Sequence, residues 1–232
     1  MLTSDEQNTA QRARTDLAKD QRRMSLLMAA LDEFFEKGFS AARMQDIAKR
    51  VHLSKGTLYL YFDSKQALFK ALIEEVALPT LTTTLQQSIG DQPAPAALKA
   101  LMQNVTRVIR HSPLPRIVKV IIADGKAFPD LVSFYRTQVL DRVFTLIDSL
   151  LQKGVQQGHW YCLDTALSAR LVVAPILFSV IWRMVFEADE YGLPDQQAKL
   201  DLDALLQLHT NNLLLILATK PELGSQPEAH HV

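Results

Sequence analysis

One cysteine, Cys162, occurs in the 232 residues of the sequence. A disulfide framework within one chain and a cysteine-built metal cluster are therefore excluded, and the thiol is read as a small buried apolar group. Glycine is scarce, at eight residues, and few stretches alternate apolar with polar at period two. Strands have little to build on, so an all-α chain is expected. The sequence also lacks a Gly-rich phosphate loop, a pair of metal ligands at helical spacing and a nucleophile motif. No catalytic residue, metal or cofactor is expected, and a helical enzyme is the most distant of the readings. His230 and His231 have no third ligand at a usable spacing.

Two further absences concern membranes. The first twenty residues, "MLTSDEQNTAQRARTDLAKD", have no apolar core of the kind a signal peptide needs. The longest apolar run, "LVVAPILFSVIW" from Leu171 to Trp182, is shorter than the ~20 residues that span a bilayer. A cytoplasmic protein without a membrane partner is expected. Charge of one sign is missing too, with 25 basic against 25 acidic residues. Nucleic-acid binders often carry a basic excess, so the total argues mildly against one. Its distribution argues the other way. Between Arg43 and Lys65 stand Arg43, Lys49, Arg50, Lys55 and Lys65 against Asp46 and Asp63, a local excess of three positive charges that a dimer would double.

What remains is ordinary globular material, 48% hydrophobic and 22% charged, long enough for one large domain or two smaller ones. Residues 1–19 read as a flexible arm, whose Arg12 and Arg14 either enter a minor groove or simply trail in solvent. The first helix is "QRRMSLLMAALDEFFEKGF", with Met24, Leu27, Ala30, Leu31 and Phe34 as its apolar stripe and Gly38 as its stop. "ARMQDIAKRV" and "SKGTLYLYF" follow as short helices, the latter capped by Ser54. "DSKQALFKALIEEV" is a fourth, capped by Asp63 or Ser64. Pro79 and "GDQPAP" suggest a boundary, giving an amino-terminal domain over 20–78 and a helical domain over 79–219. The last residues, 220–232, read as a disordered tail.

Two short helices joined by a tight link, over about 43–62, have helix-turn-helix spacing. The second can enter a major groove about 12 Å wide, because a helix with its side chains is about that thick. Leu53, Leu58 and Phe62 would hold it on Ile47, Ala48 and Val51, leaving Lys55, Thr57, Tyr59 and Tyr61 toward solvent. Tyr59 and Tyr61, two apart, cannot both face inward. Gly56 lets the backbone approach a phosphate.

The run "IAKRVHLSKGTLYLYFDSKQALF", within about Arg22 to Glu75, closely resembles the DNA-binding domain of the TetR family of transcriptional regulators. More weakly, "FPDLVSFYRTQVLDRVFTLIDSLLQKGVQQG" resembles carboxy-terminal regulatory domains of some members. The resemblance implies that Lys55, Thr57, Tyr59 and Tyr61 face DNA, that Lys65 contacts its backbone, and that Arg43 and Gln45 approach phosphate. Two positions depart from the family's habit: Arg43-Met44 stands where Thr-Thr or similar is common, and Val51-His52 where Ala-Gly is common. His52 is then either a turn residue tolerating positive φ or a phosphate contact.

The resemblance further implies a homodimer through the last two long helices, Thr165–Ala188 and Lys199–Thr219. A helix apolar on every face, as Leu171–Trp182 is, belongs in a core or against a partner. The expected function is a repressor released from a palindromic double-stranded DNA operator by a small-molecule effector. An activator, or a regulator without an effector, is the alternative. Met102, Phe128, Phe134, Tyr135, Phe178 and Trp182 are candidate apolar walls for an effector pocket. Arg107, His111 and Arg183 are its candidate polar anchors.

Overall fold

A computed structural model describes residues 4–186 and 201–220, and it contains no strand among them. The tail at 221–232, His230 and His231 included, lies outside the described residues.

Helix α1 (Ser4–Ala41) starts well before the amphipathic stretch. Residues 4–19, read as an arm, are helical: they contain no Gly or Pro and are rich in Ala, Gln, Arg and Lys, which favour helix without packing. Burial begins at Leu26 and takes in Leu27, Ala30, Leu31 and Phe34. Met24, expected on that stripe, is 41% exposed, ahead of the packed face. Gly38 interrupts α1 with φ of 79°, a conformation that glycine adopts without steric cost.

Contacts gather the described chain into two units. One holds the residues up to Thr82 together with His111–Arg142, the other Thr83–Arg110 together with the residues from Val143 onward. The first division lies close to the boundary suggested by Pro79. The return of His111–Arg142 to the amino-terminal unit is new. There α2 (Met44–Arg50), α3 (Lys55–Tyr59) and α4 (Lys65–Leu72) stand with α7 (Leu114–Asp124) and α8 (Pro129–Tyr135) around α1. Ile117, Val120, Leu131 and Tyr135 are buried in this unit, and burial pushes the Tyr135 hydroxyl up to about 12.

Pro79 does not break the chain. After α4 the helix widens into a π-turn, Ile73–Ala77, and resumes as α5 (Leu78–Ile89), with Pro79 in its first turn. The Leu78 N–H reaches back to Ile73 O across the wide turn, and a residue without an N–H fits where the α-helical ladder restarts. The break falls within the second of the two expected signals, "GDQPAP", at Gly90–Pro93, before α6 (Ala94–His111).

The second unit is built from α6, most of α9 (Asp141–Gln156), α10 (Thr165–Phe186) and α11 (Leu202–Ala218). The end of α9 fastens the turn before α6. Lys153 Nζ donates to Gly90 O at 3.1 Å and Gln92 O at 3.0 Å, and Gln157 Oε1 accepts from Ala94 N. Tyr161 N donates to Leu217 O at 2.7 Å, tying the entry of α10 to the end of α11. Trp160 is buried against Gly154, so closely that a Cβ there would sit 1.9 Å from Trp160 Cε3.

Gly154→Ala therefore sets two effects against each other. Alanine gains about 1 kcal/mol of helix propensity over glycine, while overpacking a buried ring costs about 1–3 kcal/mol. Trp160 is buried and the added Cβ would overlap its ring, so the packing cost outweighs the gain and net destabilisation is expected. Chemical denaturation followed by tryptophan fluorescence should show a lower midpoint, and a raised midpoint would mean that Trp160 swings out freely.

Candidate nucleic-acid interface

The helix-turn-helix is locked from below by apolar side chains. Ile47 and Leu58 are fully buried, and Ala48 and Phe62 nearly so, while Leu53 and Val51 are half-buried. The turn closes through Leu53 N donating to Ala48 O at 2.9 Å and His52 N to Lys49 O at 3.1 Å. His52 pays for that turn with φ of 56°, which histidine tolerates better than most residues, and its side chain is exposed. Ser54 caps α3, accepting from Thr57 N at 3.0 Å, and its Oγ lies 2.8 Å from the Thr57 hydroxyl. At α4 the cap is Ser64, which accepts from Ala67 N.

Helical rotation of about 100° per residue sorts the rest of α3. Measured from buried Leu58, Gly56 and Leu60 fall on the opposite side. Lys55 and Tyr59 share one flank, with the Lys55 ammonium 5.6 Å from the Tyr59 ring centroid. Thr57 and Tyr61, both half-buried, share the other. Tyr59 is 42% exposed and Leu60 84%. Arg43 and Gln45, at the entrance to α2, are exposed on the same unit. Leu60 was not among the residues singled out from the sequence, although the same rotation applied to Leu58 would have found it.

Lys65, expected at the DNA backbone, makes a set of contacts within the protein. Its ammonium donates to Phe39 O at 2.6 Å, Ser40 O at 2.9 Å and Ala42 O at 3.1 Å, and it lies 4.8 Å from the Phe39 ring centroid. An ammonium has three protons, and three carbonyls use them. Burial pushes its pKa down, against the nearby Asp124 carboxylate, which pulls it up. Asp124, at the end of α7, in turn accepts from Phe39 N at 2.7 Å. Lys65 thus fastens the α1–α2 corner and has no proton left for a phosphate.

A second set of contacts went unnoticed in the sequence. Arg23 grips Glu75 through Nε and Nη2, at 2.8 and 2.6 Å, with its guanidinium 4.4 Å from the Phe62 ring centroid. Arg50 pairs with buried Glu33 at 2.7 Å and with Glu36, and both carboxylates push its pKa up. These bonds tie α1 to the end of α2 and to the π-turn that follows α4.

The residues proposed for an effector pocket are divided between the units. His111, Phe128, Phe134 and Tyr135 belong to the first, Met102, Arg107, Phe178, Trp182 and Arg183 to the second. Phe128 stacks edge-on against Phe39 at 4.7 Å, and Phe134 lies beneath the Lys70 ammonium. Phe178 and Trp182 pair at 5.7 Å on α10, while His111 is exposed and Arg107 bonds Asn104. Only Met102, among these nine, lines the cleft of about 320 Å³ between α6 and α11, with Gln103, Thr106, Leu206, Gln207 and Asn211.

Residues 26–72 match the family model for bacterial regulatory proteins, tetR family, and residues 96–207 that for the AefR-like transcriptional repressor, C-terminal domain. Between them they take in more than half of the chain. The chain is 28% identical to the HTH-type transcriptional regulator YfiR of Bacillus subtilis (strain 168), over 82% of its own length and 94% of that protein. Its fold matches that of the fatty acid degradation regulator FadR from Bacillus halodurans, with a TM-score of 0.67 at 23% identity over 83% of this chain and 94% of that one. It also matches the transcriptional regulator FadR from Bacillus subtilis in complex with stearoyl-CoA, with a TM-score of 0.62 at 20% identity over 84% and 98%.

The Lys65 geometry generates a direct test. Lys65→Ala should destabilise the fold by about 1–3 kcal/mol, the range for losing hydrogen bonds from a charged donor. The slope of log affinity against log salt should stay as in the parent, because no phosphate contact is lost. Thermal unfolding and DNA titrations at two salt concentrations read both. A shallower salt slope with unchanged stability would restore Lys65 to the DNA.

Proposed function

The chain belongs to the tetR family of bacterial regulatory proteins and is a DNA-binding transcriptional regulator; from that premise we propose that it acts as a homodimeric repressor, released from a palindromic operator by a small molecule. Each subunit places α3 in a major groove, with half-sites about one helical turn or a small multiple apart. Arg43 and Gln45 meet phosphates beside the groove. Lys55, Thr57, Tyr59 and Tyr61 flank the reading edge, and Gly56 admits the backbone close to the duplex. Lys65 is left out of the contact set, for the reason given by its three carbonyl partners.

The observation that carries the dimer is the apolar surface of α10 and α11. Leu167, Leu171 and Phe178 are 60%, 66% and 53% exposed along one face of α10, and Leu208, Leu215 and Ile216 are 59–69% exposed on α11. By length and composition alone, Thr165–Met184 is apolar enough to cross a membrane. Arg170 and Arg183 interrupt it, and the paired stripes suit a second copy of the same two helices, buried as a four-helix interface in a cytoplasmic protein. Repression is supported by the name of the family model matching 96–207. An effector is supported by the fold neighbour solved with stearoyl-CoA, and by the cleft between α6 and α11. To release the operator, a ligand must favour one dimer state over the other by several kcal/mol.

Leu171→Asp places a charge in the proposed interface. Sedimentation should show the parent as a dimer and the variant as a monomer at micromolar concentration. Operator affinity should fall by about 100-fold or more, the scale of lost bivalency, with loss of repression of a reporter. A parent that is monomeric, or a variant that still represses, contradicts the proposal.

A further inference from the structure

Leu60, the C-cap of α3, keeps helical backbone angles (φ −72°, ψ −18°) and carries the most outward large apolar side chain at this helix. It is 84% exposed, two residues beyond the fully buried Leu58 and four beyond exposed Gly56, so the Gly56–Leu60 line forms the crest of the helix. Its place is fixed. Leu60 N donates to Thr57 O at 3.2 Å, Tyr61 N to Leu58 O at 3.0 Å and Phe62 N to Leu58 O at 3.1 Å. Arg23 Nη1 adds a bond to Tyr61 O at 3.4 Å. A scattered exposed leucine needs no explanation on most surfaces. This one stands where a base edge would meet the helix, on a pinned backbone, contributing nothing to the core. Beside it, Gly56 offers no Cβ: one added there would meet nothing nearer than Ser54 Oγ at 3.7 Å.

Crest chemistry decides what Leu60 can read. It has no donor or acceptor, so it cannot distinguish bases by hydrogen bonds. The one apolar feature that distinguishes bases in the major groove is the 5-methyl of thymine. Gly56, one turn earlier, lowers the crest and lets the leucine reach the groove floor. We propose that Leu60 is a specificity-determining residue that selects thymine at one position of each half-site by packing on its 5-methyl group. This rests on the operator-binding reading above, and it adds a base preference that the polar residues on the flanks do not supply.

The test uses the full chain and the DNA that it selects from a random pool. Each thymine of that sequence is replaced in turn by deoxyuridine, symmetrically in both half-sites, which removes only the methyl. For the parent, one symmetric pair should cost about tenfold in affinity, the order for burying one methyl-sized group in each of two half-sites. For Leu60→Ala the same replacement should cost less than twofold, with thermal stability and salt slope as in the parent. Leu60→Asn should lose the thymine preference as well and serves as the second variant. If no deoxyuridine position loses its effect in Leu60→Ala, the methyl readout is wrong while operator binding stands. If the parent shows no salt-sensitive binding to any DNA, the operator-binding reading fails and takes this one with it.

Discussion

The corner between α1 and α2 is held by two charged side chains working on the backbone of one residue. Asp124 takes the N–H of Phe39, and Lys65 takes its carbonyl together with those of Ser40 and Ala42. Around them Phe34, Phe39, Phe69 and Phe128 pack with ring centroids 4.7–6.0 Å apart. Helix ends leave carbonyls without partners, and burying them unpaired is costly. Here a lysine from α4 and a carboxylate from α7 supply the missing partners. The direction in which α2 leaves the corner, and hence the footing of α3, depends on that arrangement.

From there, function follows from what is left outside. Leu58 is buried and fixes the rotation of α3, so Gly56 and Leu60 form its crest and Lys55 and Tyr59 one flank. The turn beneath keeps its shape with a non-glycine residue at positive φ, His52. A net-neutral chain can serve a polyanion in this way, because local charge at the presented face matters more than the total. The apolar stripes of α10 and α11 lie on the second unit, and the proposed dimer rests on them.

Much of this was legible in the sequence, where local chemistry sufficed. Ser54 read as a cap and is one, and of Asp63 and Ser64, both read as possible caps of α4, Ser64 is the cap; Gly38 read as a stop and carries positive φ, and Ile47, Ala48, Leu58 and Phe62 read as the inner face and are buried. What could not be read depends on residues far apart in the chain. Nothing local tells that Lys65 meets carbonyls more than twenty positions earlier, or that His111–Arg142 returns to the amino-terminal unit. Pro79 misled because its cost vanishes after a π-turn, which the sequence does not announce. The outward place of Leu60 follows from helix rotation once Leu58 is inside, but a leucine carries no donor or acceptor to mark it as DNA-facing.

The corner at Phe39–Ala42 holds Lys65 inward and leaves the crest and Tyr59 flank of α3 free to meet a duplex. Hydroxyl-radical oxidation of side chains, read by mass spectrometry with and without the selected DNA, tests it most directly. Tyr59 and Leu60 should become protected on binding, while Lys65 shows the same low reactivity in both states. Protection confined to Lys65 or to α10, with Tyr59 and Leu60 oxidised as fast as in the free protein, would contradict the account.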